Sequence, residues 1–148
     1  MKRVQPRANS RHIVGMLGLA SAADIEQGKQ WYQNAYDIAL RFIHTYPELR
    51  LGQAIGVIAA LSPNNKWARN VADAEAMIKL WHQGIDPRIA KVCTFNNNKQ
   101  KAACILELES VDTENIQDIL SGQKVVAFFR CISGFTDTVC IDGHAFAI

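Results

Sequence analysis

The chain has 148 residues, 49% hydrophobic, 20% charged and 8% aromatic, with a net charge of +2. That length suits one domain with a sizeable core, and the composition excludes a disordered chain, which carries fewer apolar and more charged residues. The small positive charge admits an acidic partner such as nucleic acid without requiring one, and no stretch reaches the roughly 20 apolar residues of a membrane span.

At the N-terminus, Lys2, Arg3, Arg7 and Arg11 precede the apolar run "IVGMLGLA" and the small residues "SAA", the outline of a signal peptide. The run is short, holds two glycines and gives way to "SAADIEQ", which reads as a helix start. Residues 1–20 are therefore expected to be a basic arm of a cytoplasmic protein. Disorder is its ordinary state, and contact with a DNA backbone is the functional alternative.

From Ser21 the pattern is helical. Ser21 as N-cap with Asp24 three residues on opens a helix in which Trp31, Ala35, Ile38, Ala39, Phe42 and Ile43 share a face, ending before Pro47. "LGQAIGVIAALSP" is apolar on nearly every side, as a central buried helix would be; its Ile and Val content also suits a strand, and its length favours the helix. Asn65 is placed to cap a third helix carrying Trp67, Val71, Ala74, Ile78 and Trp81, with Gly84 ending it. "DPRIAKV" offers Asp86 as cap and Pro87 at the first helical position. In "NNNKQKAACILEL" the asparagines Asn96, Asn97 and Asn98 read as caps ahead of Ala102, Ile105 and Leu106, with phosphate contact from Lys99 and Lys101 as the alternative. Asp112 or Thr113 caps "DTENIQDIL", and "QKVVAFFRCISG" supplies a last helix over about 123–134.

No repeat or linker interrupts this series, and only "TVCI" hints at a strand. The expected fold is all-α, a bundle of short helices over 21–148. Trp31, Trp67, Trp81 and Phe129 fall at core spacing and read as packing. Cys93, Cys104, Cys131 and Cys140 are widely spaced, with no C-x-x-C pair. They read as buried thiols in a reducing compartment, and neither a metal site nor a cofactor is expected.

Two helices joined by the turn Ser121-Gly122, the second opening with Gln123 and Lys124, outline a helix-hairpin-helix element. Exposed amides at such a turn and helix start can grip a phosphate without reading sequence, although most such turns only join helices. "LSGQKVVAFF" followed by "CIDGHAF" resembles the terminal motif of the helix-hairpin-helix DNA glycosylase superfamily, in its endonuclease III-like branch. That family's pattern runs "L-P-G-V-G-x-K-T-A", an apolar helix, then "V-D-T-H-x-F". "AIGVIAALSPNNKWARNVADAEAMIKLW" resembles its "L-L-S-x-Q" helix-loop-helix and "TFNNNKQKAACIL" its "G-x-x-x-x-K-A-x-x-I" segment, so the likeness covers about 51–148. Departures are Leu120 where a first glycine is expected, Gly143 after Asp142, and an end soon after Asp142 where family members continue with further helices.

The resemblance implies a DNA N-glycosylase, with or without strand cleavage, acting on a damaged or modified base in duplex DNA. Lys124 falls on the Schiff-base lysine and Asp142 on the catalytic aspartate. Ser121, Gly122 and Gln123 would hold phosphate. Asn64 would wedge into the duplex, with Asn65, Lys66 and His144 also on the DNA side. The target nucleotide would leave the stack, because a buried glycosidic bond cannot be attacked in place. A carboxylate then stabilises the oxocarbenium-like state or activates the nucleophile, while a lysine disfavoured as ammonium by the positive end of a helix dipole attacks the sugar.

Each residue also has a plainer reading: Lys124 as a solvated charge, Asp142 as an N-cap, His144 as a structural hydrogen-bonder. The other functional readings are a DNA-binding half-domain without catalysis, one piece of a split enzyme, and a phage enzyme of modified-base metabolism. The early end leads to the expectation of self-association or a partner chain that completes the fold.

Overall fold

The computed structural model describes residues 22–92 and 94–135, with side chains from Gln30 onward. Six α-helices and one short 3₁₀ turn make up the described residues, which contain no strand: α1 (Ala22–Thr45), α2 (Leu51–Ala60), α3 (Trp67–His82), the 3₁₀ turn (Pro87–Ile89), α4 (Asn96–Leu106), α5 (Thr113–Leu120) and α6 (Gln123–Ser133). The fold is all-α. Ser21, "TVCI", Asp142 and His144 lie outside the described residues.

At the centre is α2, eight of whose ten residues are buried, and it packs against each of the other five helices. Close approach is built into its sequence. A Cβ on Gly56 would come within 3.0 Å of Ile116 Cγ2 and 3.2 Å of Ile105 Cγ2, and one on Gly52 within 3.1 Å of Ile116 Cδ1. Small residues on α2 thus let the branched side chains of α4 and α5 seat against its backbone. Around it the core is completed by Ala35, Ala39 and Phe42 of α1, Ala74, Met77 and Ile78 of α3, Ala102, Ile105 and Leu106 of α4, and Phe128, Phe129 and Ile132 of α6.

The helices follow the apolar spacing, but several ends are fixed otherwise than expected. Asp112 does cap α5, its carboxylate accepting from the Asn115 amide at 2.8 Å. Gly84, at φ 78, lies just beyond the end of α3. The N-cap of α3 is Lys66 rather than Asn65, and that of α4 is Phe95 rather than an asparagine. Asn98 instead donates its amide to Thr94 Oγ1 at 2.8 Å. Cys104 is exposed and Cys131 half-buried, so the expectation of buried thiols fails at Cys104.

"DPRIAKV" forms only the 3₁₀ turn, although Asp86 caps it as expected by accepting from the Arg88 amide at 3.0 Å. A segment this short cannot sustain a helix alone, and its groups bind elsewhere: Lys99 Nζ donates to Ala90 O at 3.0 Å. Arg88 forks onto Glu107 at 2.7 and 2.9 Å and donates from Nε to Gln100 Oε1 at 2.7 Å, clasping the turn to α4.

The Arg88 guanidinium holds the Glu107 carboxyl below its ordinary value of 4.5. A carboxyl whose folded value is depressed contributes stability that is complete above its unfolded value and is lost as pH falls through the folded one. Thermal midpoints measured from neutral into acid should therefore fall less steeply below pH 4.5 in Arg88→Met than in the wild type. Parallel curves would show that the clasp contributes nothing to acid sensitivity.

Candidate nucleic-acid interface

The turn between α5 and α6 is tight and exposed. Ser121 adopts φ 60, ψ −43, a region that costs a residue with a Cβ about 1–3 kcal/mol. Gly122 follows at φ −72, ψ 141 and acts as the N-cap of α6 without a side-chain cap. The first intrahelical bond is from the Val126 amide to Gly122 O at 2.9 Å. The amides of Gln123, Lys124 and Val125 therefore belong to the unpaired first turn that every helix presents. Ser121, Gly122, Gln123 and Lys124 are all exposed, and the Lys124 amine has no hydrogen-bond or ion-pair partner among the described residues.

The strained turn is held from α4. Lys101 Nζ donates to Leu120 O at 2.9 Å and to Ser121 Oγ at 3.0 Å, and its side chain is partly buried in doing so. A charge-assisted bond of this kind is about twice as strong as a neutral one. It also places a cation at the C-terminus of α5, where the helix dipole favours one.

The loop joining α2 to α3 is pinned from inside. Asn65 is buried, and its amide donates to Leu61 O at 3.0 Å and Asp73 Oδ2 at 3.1 Å. Asn70, also buried, donates to Ile58 O at 2.9 Å, and Ser62 Oγ donates to Ala59 O at 2.8 Å. What this network leaves outside is Asn64, exposed at φ 54, and Lys66.

Two sets of contacts bring this loop and the hairpin toward each other. Thr94 Oγ1 donates to Pro63 O at 3.1 Å and is itself bonded by Asn98. Asn98 and Lys101 are three apart on α4, so their side chains share a face, one tied to the loop and the other to the hairpin. On the second route, Trp67, next to Lys66, meets Phe128 at 6.5 Å between ring centroids, and Trp31 stacks on Phe128 at 5.4 Å. Phe128 is four residues beyond Lys124, one turn along the same face of α6. Trp31 and Trp67 thus serve packing, as their spacing indicated.

Of the sequence-derived residues, Ser121, Gly122, Gln123 and Lys124 form one exposed cluster, and Asn64 and Lys66 a second, linked to the first through α4 and the aromatic cluster. Asn65 is committed inside the fold. Sequence reasoning missed the bracket made by Thr94, Asn98 and Lys101. The N-x-x-K spacing was visible, but its partners are tertiary. No group of three or more His, Cys, Asp or Glu side chains suited to a metal occurs among the described residues, and no helix there is long and apolar enough to cross a membrane.

A family model described as DUF7178, a family of unknown function, matches residues 1–148. No curated protein and no solved structure matches the chain.

Proposed function

The chain belongs to the DUF7178 family, and from its own residues we propose that it is a DNA N-glycosylase acting on a modified or damaged base in duplex DNA. The observation that carries the reading is the hairpin. Its exposed, uncapped helix start bears Lys124, in the order in which the terminal motif resembles that of helix-hairpin-helix glycosylases. The loop carrying Asn64 and Lys66 supports the reading further, because it projects polar side chains from a rigid base on the same framework. DNA is the partner, with phosphate held by the amides of the α6 start and by Lys66.

In this reading the flipped nucleotide meets Lys124. The lysine nitrogen donates its electron pair to C1′ of the sugar as the bond to the base breaks, and the base leaves with that bonding pair and takes up one amine proton. Ring opening then breaks the C1′–O4′ bond, the remaining amine proton passing to O4′, and leaves an imine between C1′ and the lysine nitrogen. Asp142, outside the described residues, would stabilise the positive charge that develops on the sugar.

Duplexes carrying single modified bases, treated with the protein and borohydride, should yield a covalent adduct that is absent with Lys124→Ala. Base release without an adduct, abolished by Asp142→Asn, would replace the lysine step with water attack. Salt-dependent binding with neither release nor adduct would leave a DNA-binding module and refute the enzyme.

A further inference from the structure

We infer that Lys101 is the positioning residue of the hairpin, holding Ser121 in its positive-φ conformation so that the amides of the α6 start stand ready for a phosphate; the functional half of this inference rests on the DNA reading above. The geometry is specific. One ammonium on α4 spans the last carbonyl of α5 and the hydroxyl of the strained residue, at 2.9 and 3.0 Å. Ser121 has no glycine's freedom at φ 60, and its conformation is sustained by what surrounds it. The adjacent Gly122 is unhindered, since a Cβ there would meet nothing within 4 Å. Backbone packing on that side therefore does not fix the turn.

Lys101 lies on α4, which packs against both α2 and α5. It therefore references the hairpin to the central helix rather than to the hairpin's own two helices. A charge at this point is also partly withdrawn from solvent, which suits a cation spent on protein carbonyls and hydroxyls rather than on a ligand.

The test uses the whole chain, with Lys101→Met, which keeps most of the stem and removes the donors, and Lys101→Arg, which keeps charge and donors. Amide hydrogen exchange by NMR should show the hydrogen-bonded amides of Ser121, Gly122 and Val126 exchanging roughly tenfold faster or more in Lys101→Met, with α2 unaffected, and most protection restored in Lys101→Arg. Binding to a duplex carrying a tetrahydrofuran abasic analogue should weaken about tenfold in Lys101→Met with an unchanged salt slope, because a residue acting through the turn releases no counterion of its own.

Unchanged exchange at Ser121, Gly122 and Val126 overturns the inference whatever the DNA result. A salt slope reduced by about one, with exchange intact, overturns it in favour of direct phosphate contact. Should Lys101→Met unfold globally, the Ser121→Gly background decides. Relieving the strain there should shrink the effect of Lys101→Met on stability, and strictly additive effects overturn the inference. Failure of the wild type to bind the duplex refutes the DNA reading instead, and the exchange data still decide what holds Ser121.

Discussion

Gly122→Asp is expected to weaken duplex DNA binding at least roughly tenfold while the thermal midpoint stays level or rises. The two effects separate because Gly122 sits at φ −72, ψ 141, a conformation open to any residue, and a Cβ there meets nothing within 4 Å. Neither the backbone nor the packing of the chain requires glycine. An aspartate at this N-cap would accept from the first amides of α6, as Asp112 does at the start of α5, and contribute about a few tenths of a kcal/mol over glycine. Those are the amides a phosphate would need, and the added carboxylate would repel it. Fluorescence anisotropy with a labelled duplex, run beside thermal unfolding, reads both. Unaltered affinity with a raised midpoint would take the hairpin out of the DNA interface.

Gln53→Leu should destabilise the fold by about 1–3 kcal/mol. Gln53 is 3% exposed, and its amide nitrogen donates to Ile105 O at 3.3 Å and Leu106 O at 3.2 Å, the final carbonyls of α4. Its side-chain oxygen accepts from the Arg50 amide at 3.0 Å, at the start of α2. One side chain thus terminates one helix and begins another. Leucine preserves the apolar bulk but strands the Leu106 carbonyl, whereas Ile105 O keeps the Leu108 amide at 3.3 Å, and an unsatisfied buried group costs about 1–3 kcal/mol. The Arg50 amide belongs to an exposed residue and is recovered by water. Urea denaturation measures the loss, and a change below about 1 kcal/mol would mean that solvent reaches the α4 terminus.

The helical architecture was legible because apolar residues recur at steps of three and four in α1, α3 and α6, and because Asp86 and Asp112 stand where caps stand. A side chain's choice between its own backbone and a distant partner was not legible. Asn65 reads as a cap because it precedes a helical run, yet its amide turns inward to Asp73, eight residues on. Asn98 likewise turns back to Thr94, and the cap position falls to Phe95. Lys101 looks like one more surface cation in "NNNKQK" until α5 places Leu120 O against it. The hairpin itself was legible from Gly122 and the following Lys124. The strain at Ser121 was not, since serine carries no propensity for positive φ.

The centrality of α2 bears on the order in which the protein can acquire its structure during synthesis. Of the described helices only α1 precedes this apolar one, while α4, α5 and α6, which seat their branched and aromatic side chains against it, are all translated later. A nascent chain that has reached α3 therefore still exposes the faces of this apolar helix that α4, α5 and α6 cover in the finished fold. Its glycines offer shallow grooves to any passing β-branched side chain until Ile105 and Ile116 arrive to fill them.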